Sequence, residues 1–204
     1  RELCTMFGVG RTSVREALRS LSVMGILDGR VGEGTFVCDN SSKYLEKSMQ
    51  WGLLLDRKTV QDLVETRLML ETETASLAAQ RATPADVREI GAALAAMKDS
   101  VDSDDRFLEN DLRFHLLMAR ATQNPILNNL LTMIRTYLQE WIKGSLAEPT
   151  APQRIGRAQK SLTEHGEILS ALQRRDVEGC RQAMKAHIIS SSLDLRSHLK
   201  ESPS

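Results

Sequence analysis

The sequence predicts an N-terminal winged helix-turn-helix, truncated at its start, followed by an all-α antiparallel bundle of about seven helices. Three observations carry that prediction. A short helical pattern, a glycine turn, a second helical pattern and a glycine-rich hairpin follow one another within the first 38 residues. From residue 43 onward apolar side chains recur at helical spacing, with capping residues before prolines at two of the breaks. Only 4% of the 204 residues are aromatic while Met occurs 8 times, so the core is aliphatic.

The chain opens inside the first pattern. Between Glu2 and Phe7, Leu3 and Phe7 lie one turn apart with Met6 beside them, and Gly8-Val9-Gly10 interrupts the helix. Arg11-Thr12-Ser13 starts a second helix with Val14, Ala17, Leu18, Leu21 and Met24 on one face, and Gly25 closes it. Ile26-Leu27 and Thr35-Phe36-Val37 then read as short strands bracketing Asp28-Gly29-Arg30-Val31-Gly32-Glu33-Gly34, a tight hairpin tip that forms the wing. Asp39-Asn40-Ser41-Ser42 is a polar hinge, dividing the chain into a small unit at 1–38, a hinge at 39–42 and a helical domain at 43–204.

In that domain the period places helices at 43–55, 59–81, 84–99, 104–122, 125–146, 155–174 and 176–199. Thr83-Pro84 and Asn124-Pro125 put a capping side chain before a proline at the first helical position, and Asp176 is placed to cap the last helix. Glu148-Pro149-Thr150-Ala151-Pro152 is a break. Short connections between so many helices make a bundle. Met69, Met97, Met118, Met133 and Met184 fall on helical patterns and are expected as core filler. Gly166 is placed to permit a close helix approach.

Composition bounds the function. Lys+Arg and Asp+Glu balance at 27 each, a formal net charge of zero, which excludes a chain coated in positive field but not a small nucleic-acid-binding face. Hydrophobic and charged fractions of 41% and 26% are those of a folded globular chain. Cys4, Cys38 and Cys180 are odd in number and widely spaced, which disfavours a disulfide-stapled secreted domain. No apolar run reaches bilayer-spanning length and no signal-type segment precedes the first element, so the expected location is cytoplasmic.

The free face of the second helix carries Arg11, Thr12, Ser13, Arg15 and Arg19, the polar and cationic set a DNA-recognition helix needs. Arg1 can reach the backbone from the preceding helix, and Arg30 sits on the wing whose tip Gly32 and Gly34 shape. Bulk charge lends little support, since the first 38 residues hold five arginines against four acids. The arrangement lends more. One such domain rarely binds tightly, so a homodimer on two half-sites of a palindromic operator is expected.

The helical domain holds a sharper signal. Asp111 and His115 are four apart on one helix, on a stripe with Phe107 or Leu108, Met118 and Thr122. His165 recurs with Leu162, Leu169 and Leu172, and His187 sits among Cys180, Ala183, Met184 and Ser191. One histidine on an apolar face is ordinary; three, with an aspartate one turn from the first, form a ligand set for a divalent cation. Imidazole favours transition metals over magnesium, zinc first, with nickel or manganese as alternatives. Arg67 and Glu71 share the stripe Val60, Leu63, Val64, Thr74, Ala78, where Arg67 can hold an incoming carboxylate and Glu71 can orient it.

Two rival readings use the same residues. A metal-dependent hydrolase would need a base, for which Glu164 or Glu167 flank His165 in sequence. A helical dimerisation module would use the metal structurally. The winged unit has no role in hydrolysis, so no enzymatic activity is expected.

The whole chain resembles the GntR superfamily of bacterial transcription regulators, in its FadR-like branch with an all-helical FCD effector-binding domain. The DNA-binding half is matched by Arg1-Glu2-Leu3, by Phe7 through Leu18 and by Gly32-Glu33-Gly34-Thr35-Phe36-Val37. The effector half is matched by Glu65-Thr66-Arg67 with Glu71, Asp111 through Phe114-His115, Glu164-His165, Ala171-Leu172 followed by Arg175-Asp176, and Ala183-Met184 followed by His187. The resemblance implies a dimeric metabolite-responsive transcription factor, commonly a repressor. It implies a divalent metal on Asp111, His115, His165 and His187, and DNA contacts from Arg1, Arg11, Arg15 and the wing. It further implies a small carboxylate effector such as a hydroxy acid, sugar acid or dicarboxylate.

Overall fold

A computed structural model describes residues 2–30, 32–38, 60–145 and 151–197. These form two compact units, one within 1–56 and the other within 57–204. The expected helix at 43–55, the hinge at 39–42 and Arg1 lie outside the described residues.

In the first unit, α1 (Glu2–Phe7) and α2 (Arg11–Val23) form the helix-turn-helix. Gly25 ends α2 with a left-handed φ of 64°, a backbone state that glycine adopts without the strain a Cβ brings. Its N–H donates to Ser22 O and that of Ile26 to Leu21 O, the paired bonds that satisfy the last carbonyls of a helix. This use of Ile26 displaces the expected first strand by one residue: β1 is Leu27–Arg30 and β2 is Gly34–Val37. The strands pair antiparallel from Leu27↔Val37 to Arg30↔Gly34, so most of the bracket expected as a tip belongs to the ladder.

The second unit contains α3 (Val60–Arg81), α4 (Pro84–Lys98), α5 (Asp104–Ala121), α6 (Pro125–Ser145), α7 (Ala151–Gln173) and α8 (Val177–Ser197). The expected caps are present. Thr83 Oγ1 accepts from the Asp86 N–H while the Asp86 carboxylate accepts from the Thr83 N–H, a reciprocal capping box before Pro84. Asn124 Oδ1 accepts from the N–H groups of Ile126 and Leu127, and Asp176 Oδ1 from that of Gly179. Thr83→Ala is expected to cost about 1 kcal/mol, read as a lowered urea midpoint with unchanged slope. α7 begins at Ala151, inside the expected break, because Pro152 lies in its first turn, where a helix needs no N–H from it.

α3 packs chiefly on α8, α8 on α7, and α4 on α5. Their common core joins Ala75, Ala78 and Ala79 of α3, Ile90 and Met97 of α4, Phe114 and Met118 of α5, Ile168 and Leu172 of α7, and Met184 and Ile188 of α8. Four of the five methionines expected inside are buried, but Met69 is 74% exposed. It lies on the outer face of α3 with exposed Glu65 and Glu73, one turn to either side. A Cβ at Gly166 would meet nothing within 4 Å, whereas one at Gly91 would touch Leu169, so the glycine of the helix contact lies on α4 and not on α7.

Arg175, after α7, takes a left-handed φ of 54° despite its side chain. Its guanidinium crosses to the end of α3, Nη2 donating to Ala82 O at 3.0 Å. The local strain is offset by capping a neighbouring helix terminus.

Candidate metal centre and nucleic-acid interface

Asp111 and His115 on α5, His165 on α7 and His187 on α8 converge, with potential ligand atoms all within 4.8 Å of one another. The three imidazoles are buried, at 3% or less exposed, and the Asp111 side chain is 20% exposed. α5, α7 and α8 all pack on α3, and α8 also on α7, which brings the residues together, and Phe114 wedges edge-on against the His165 ring at 4.6 Å.

Hydrogen bonding decides which nitrogen faces inward. His165 Nδ1 donates to Ser161 O at 2.8 Å and His187 Nδ1 to Glu164 Oε2 at 2.9 Å. Each bond leaves Nε2 as the lone-pair nitrogen, the arrangement by which a neighbouring oxygen orients a metal-ligating imidazole. His165 Nε2 lies 3.2 Å from both His115 Nε2 and Asp111 Oδ1. Ligand atoms about 2.1 Å from a common cation are about 3.0 to 3.4 Å apart at octahedral or tetrahedral angles, so the two spacings around His165 Nε2 fit a divalent metal, while the 3.9 Å between His115 Nε2 and Asp111 Oδ1 is wider than those angles give.

A buried ionic cluster adjoins it. Arg67 Nε donates to Glu71 Oε1 at 2.8 Å. Glu71 Oε2 accepts from Nε of Arg135 at 3.0 Å and also from Arg135 Nη2, while Arg135 Nη1 lies 3.5 Å from Asp111 Oδ2. Arg67, Glu71 and Arg135 are 3%, 2% and 4% exposed. The sequence reading missed Arg135, although the signal that marked Arg67 was present: it shares a helical stripe with Leu131 and Leu138.

Burial opposes ionisation of Glu71, but Arg135, Arg67 and His115 outweigh it and hold the carboxyl well below the usual range. Burial likewise opposes ionisation of Asp111, which the His165 hydrogen bond and the charges of His115, His165 and Arg135 hold low. The His115 imidazole is pushed down to about 3, by burial first and by Arg135 second, against Glu71 and Asp111. Burial, with His165 adding, drives His187 well below its usual value.

These last two shifts fix a pH dependence for chelator-treated protein. Below about pH 6.5 the unfolded chain protonates both imidazoles while the folded chain keeps them neutral. Stability is therefore full above that pH and falls as pH drops, with a slope approaching about two protons per molecule. Urea melts at about pH 7.5 and about pH 5 check this, and equal midpoints would contradict it.

The hydrolase reading finds no support in the placement of its two bases. Glu164 is engaged on the outward nitrogen of His187, and Glu167 is exposed. In the first unit, Arg11, Thr12, Ser13, Arg15 and Arg19 are all exposed along α2. Gly32 and Gly34 hold φ of 81° and 114° at the hairpin tip, a conformation that favours glycine. Arg30 bonds Asp28 at 3.2 Å and stacks over Phe36, with its side chain 56% exposed.

Residues 1–37 match the bacterial regulatory proteins of the gntR family and residues 62–190 match the FCD domain. The chain is 32% identical to the HTH-type transcriptional regulator LutR of Bacillus subtilis (strain 168), over 91% of this chain and 84% of that protein. It is 29% identical to the galactonate operon transcriptional repressor of Escherichia coli (strain K12), over 96% of this chain and 85% of that protein. The solved structure of Streptococcus agalactiae GntR superposes with a TM-score of 0.73 at 28% identity, covering 95% of this chain and 86% of that one.

Fold, site and matches together define a metabolite-responsive DNA-binding regulator, its fold and family matching known non-catalytic regulators. The chain belongs to the gntR family of bacterial regulatory proteins, in the group that carries an FCD effector-binding domain. Among the described residues no helix is long and apolar enough to cross a membrane.

Proposed function

We propose that the protein is a repressor that binds palindromic operator DNA as a homodimer and is released by a small organic acid. Residues 1–38 are the DNA-binding unit, 39–42 the hinge and 43–204 the effector-binding and dimerisation unit. Arg11, Arg15 and Arg19 meet bases or phosphates from α2 with Thr12 and Ser13 positioning it, while Arg1 and the wing at Arg30, Gly32 and Gly34 contact the backbone or minor groove.

The observation that carries the effector half is the convergence of oriented imidazole nitrogens and Asp111 beside two buried arginines. Asp111, His115, His165 and His187 would hold a divalent metal, zinc first by donor type, which supplies Lewis-acid coordination for a carboxylate oxygen. Charge supports the pairing. Among the described residues two guanidiniums face three carboxylates, Glu71, Asp111 and Glu164, leaving one excess negative charge with the imidazoles neutral. A divalent cation converts that to one excess positive charge, which a carboxylate ligand neutralises. The galactonate operon repressor among its relatives fits a hydroxylated acid.

The test is isothermal titration of hydroxy acids, sugar acids and dicarboxylates into zinc-loaded and chelated protein, and into Arg67→Ala. One acid is expected to bind only with metal present, and about tenfold or more weakly without Arg67. The same acid must lower operator affinity by the factor by which operator lowers acid affinity. Tight metal binding that no acid perturbs would replace this reading with a structural metal in a dimerisation module.

A further inference from the structure

We propose that Glu71 is an internal stand-in for the effector's carboxylate: it holds Arg135, and the effector takes its place there. The inference rests on the acid-sensing reading above and goes beyond it by assigning the switch.

Glu71 is overcommitted. Its single carboxylate serves Arg67 through Oε1 and Arg135 through Oε2, and Oε2 also lies 2.9 Å from His115 Nδ1. Neither arginine receives the parallel two-oxygen contact that guanidinium favours, because Nε and Nη2 of Arg135 both converge on the one oxygen. The consequence falls on His115. Its Nδ1 is buried with no aligned hydrogen-bond partner, in a residue only 3% exposed, although a carboxylate oxygen stands within reach. The outward nitrogens of His165 and His187, by contrast, are both satisfied.

A ligand carboxylate offering two oxygens to Arg135 resolves both defects. Arg135 gains the forked contact, and Glu71, still tied to Arg67, is free to rotate Oε2 onto the Nδ1–H of His115. That bond completes the outer support of the third imidazole, which raises its strength as a metal donor. Acid and metal thereby reinforce one another through Glu71. The exchange also breaks the Glu71–Arg135 ion pair, a direct tie between α3 and α6, so effector entry loosens one helix from another.

Zinc-loaded wild type, Glu71→Gln, Glu71→Asp and Arg135→Lys are titrated with galactonate and with lactate, and zinc affinity is measured with and without each acid. Glu71→Gln removes the competing charge, and Glu71→Asp keeps the charge but shortens its reach toward α6. Each is expected to bind acid about threefold or more tightly than wild type, while Arg135→Lys binds about tenfold or more weakly. Acid is expected to raise zinc affinity in wild type and much less in Glu71→Gln. Should Glu71→Gln fail to fold, Glu71→Asp decides. Weaker acid binding in the Glu71 variants would make Glu71 a helper and overturn the stand-in while the sensor reading stands. No acid binding by folded, zinc-loaded wild type would overturn both.

Discussion

His165→Ala is expected to lower divalent-metal affinity by on the order of 100-fold or more, since removing a mere orienting partner of a ligand already costs about 10- to 100-fold. His165 is fully buried at the centre of the cluster, and its Nε2 stands 3.2 Å from both the His115 and Asp111 ligand atoms. Among the described residues the cluster has four such side chains, so the variant retains three. Competition against a chromophoric chelator reads the loss. Glu164→Gln, which weakens only the orientation of His187, should fall between wild type and His165→Ala. Equal zinc affinity in wild type and His165→Ala would show that the four residues do not form the site.

Arg135→Ala is expected to destabilise metal-free protein by about 3 to 5 kcal/mol, the usual cost of removing one partner of a buried ion pair. The loss is large because of what remains: Glu71 stays 2% exposed with only Arg67 as a guanidinium partner, and Asp111 loses its nearest arginine. Replacing the group together, as Arg67→Met, Glu71→Leu and Arg135→Met, should recover most of that stability, since no unpaired charge is left buried. Urea melts of the two proteins separate the explanations. A triple variant as unstable as Arg135→Ala would mean that packing, and not an orphaned charge, sets the cost.

Much of this site was legible in the chain itself. Four-residue spacing puts Asp111 beside His115 and Arg67 beside Glu71 on any helix, and both pairs are found where the period placed them. The helix starts at Pro84, Pro125 and Val177 follow from Thr83, Asn124 and Asp176, whose side chains satisfy N–H groups within three residues of themselves. Such features are local, so the order of residues suffices to determine them.

Tertiary packing decided the rest. Met69 has the spacing of a core residue yet faces out, because α3 turns its Val64, Arg67 and Glu71 stripe inward and Glu65, Met69 and Glu73 away. The partner of Glu71 across the bundle is Arg135, 64 residues away, and nothing within α3 or α6 alone specifies that meeting. The inward nitrogen of His187 was also hidden, since it depends on Glu164 of another helix, whereas Ser161 O behind His165 is one turn away on the same helix. Period and capping are properties of one helix and its few neighbouring residues. Which charges share a carboxylate, and which imidazole nitrogen keeps its lone pair, depend on angstrom-scale distances between helices that only the packed core sets.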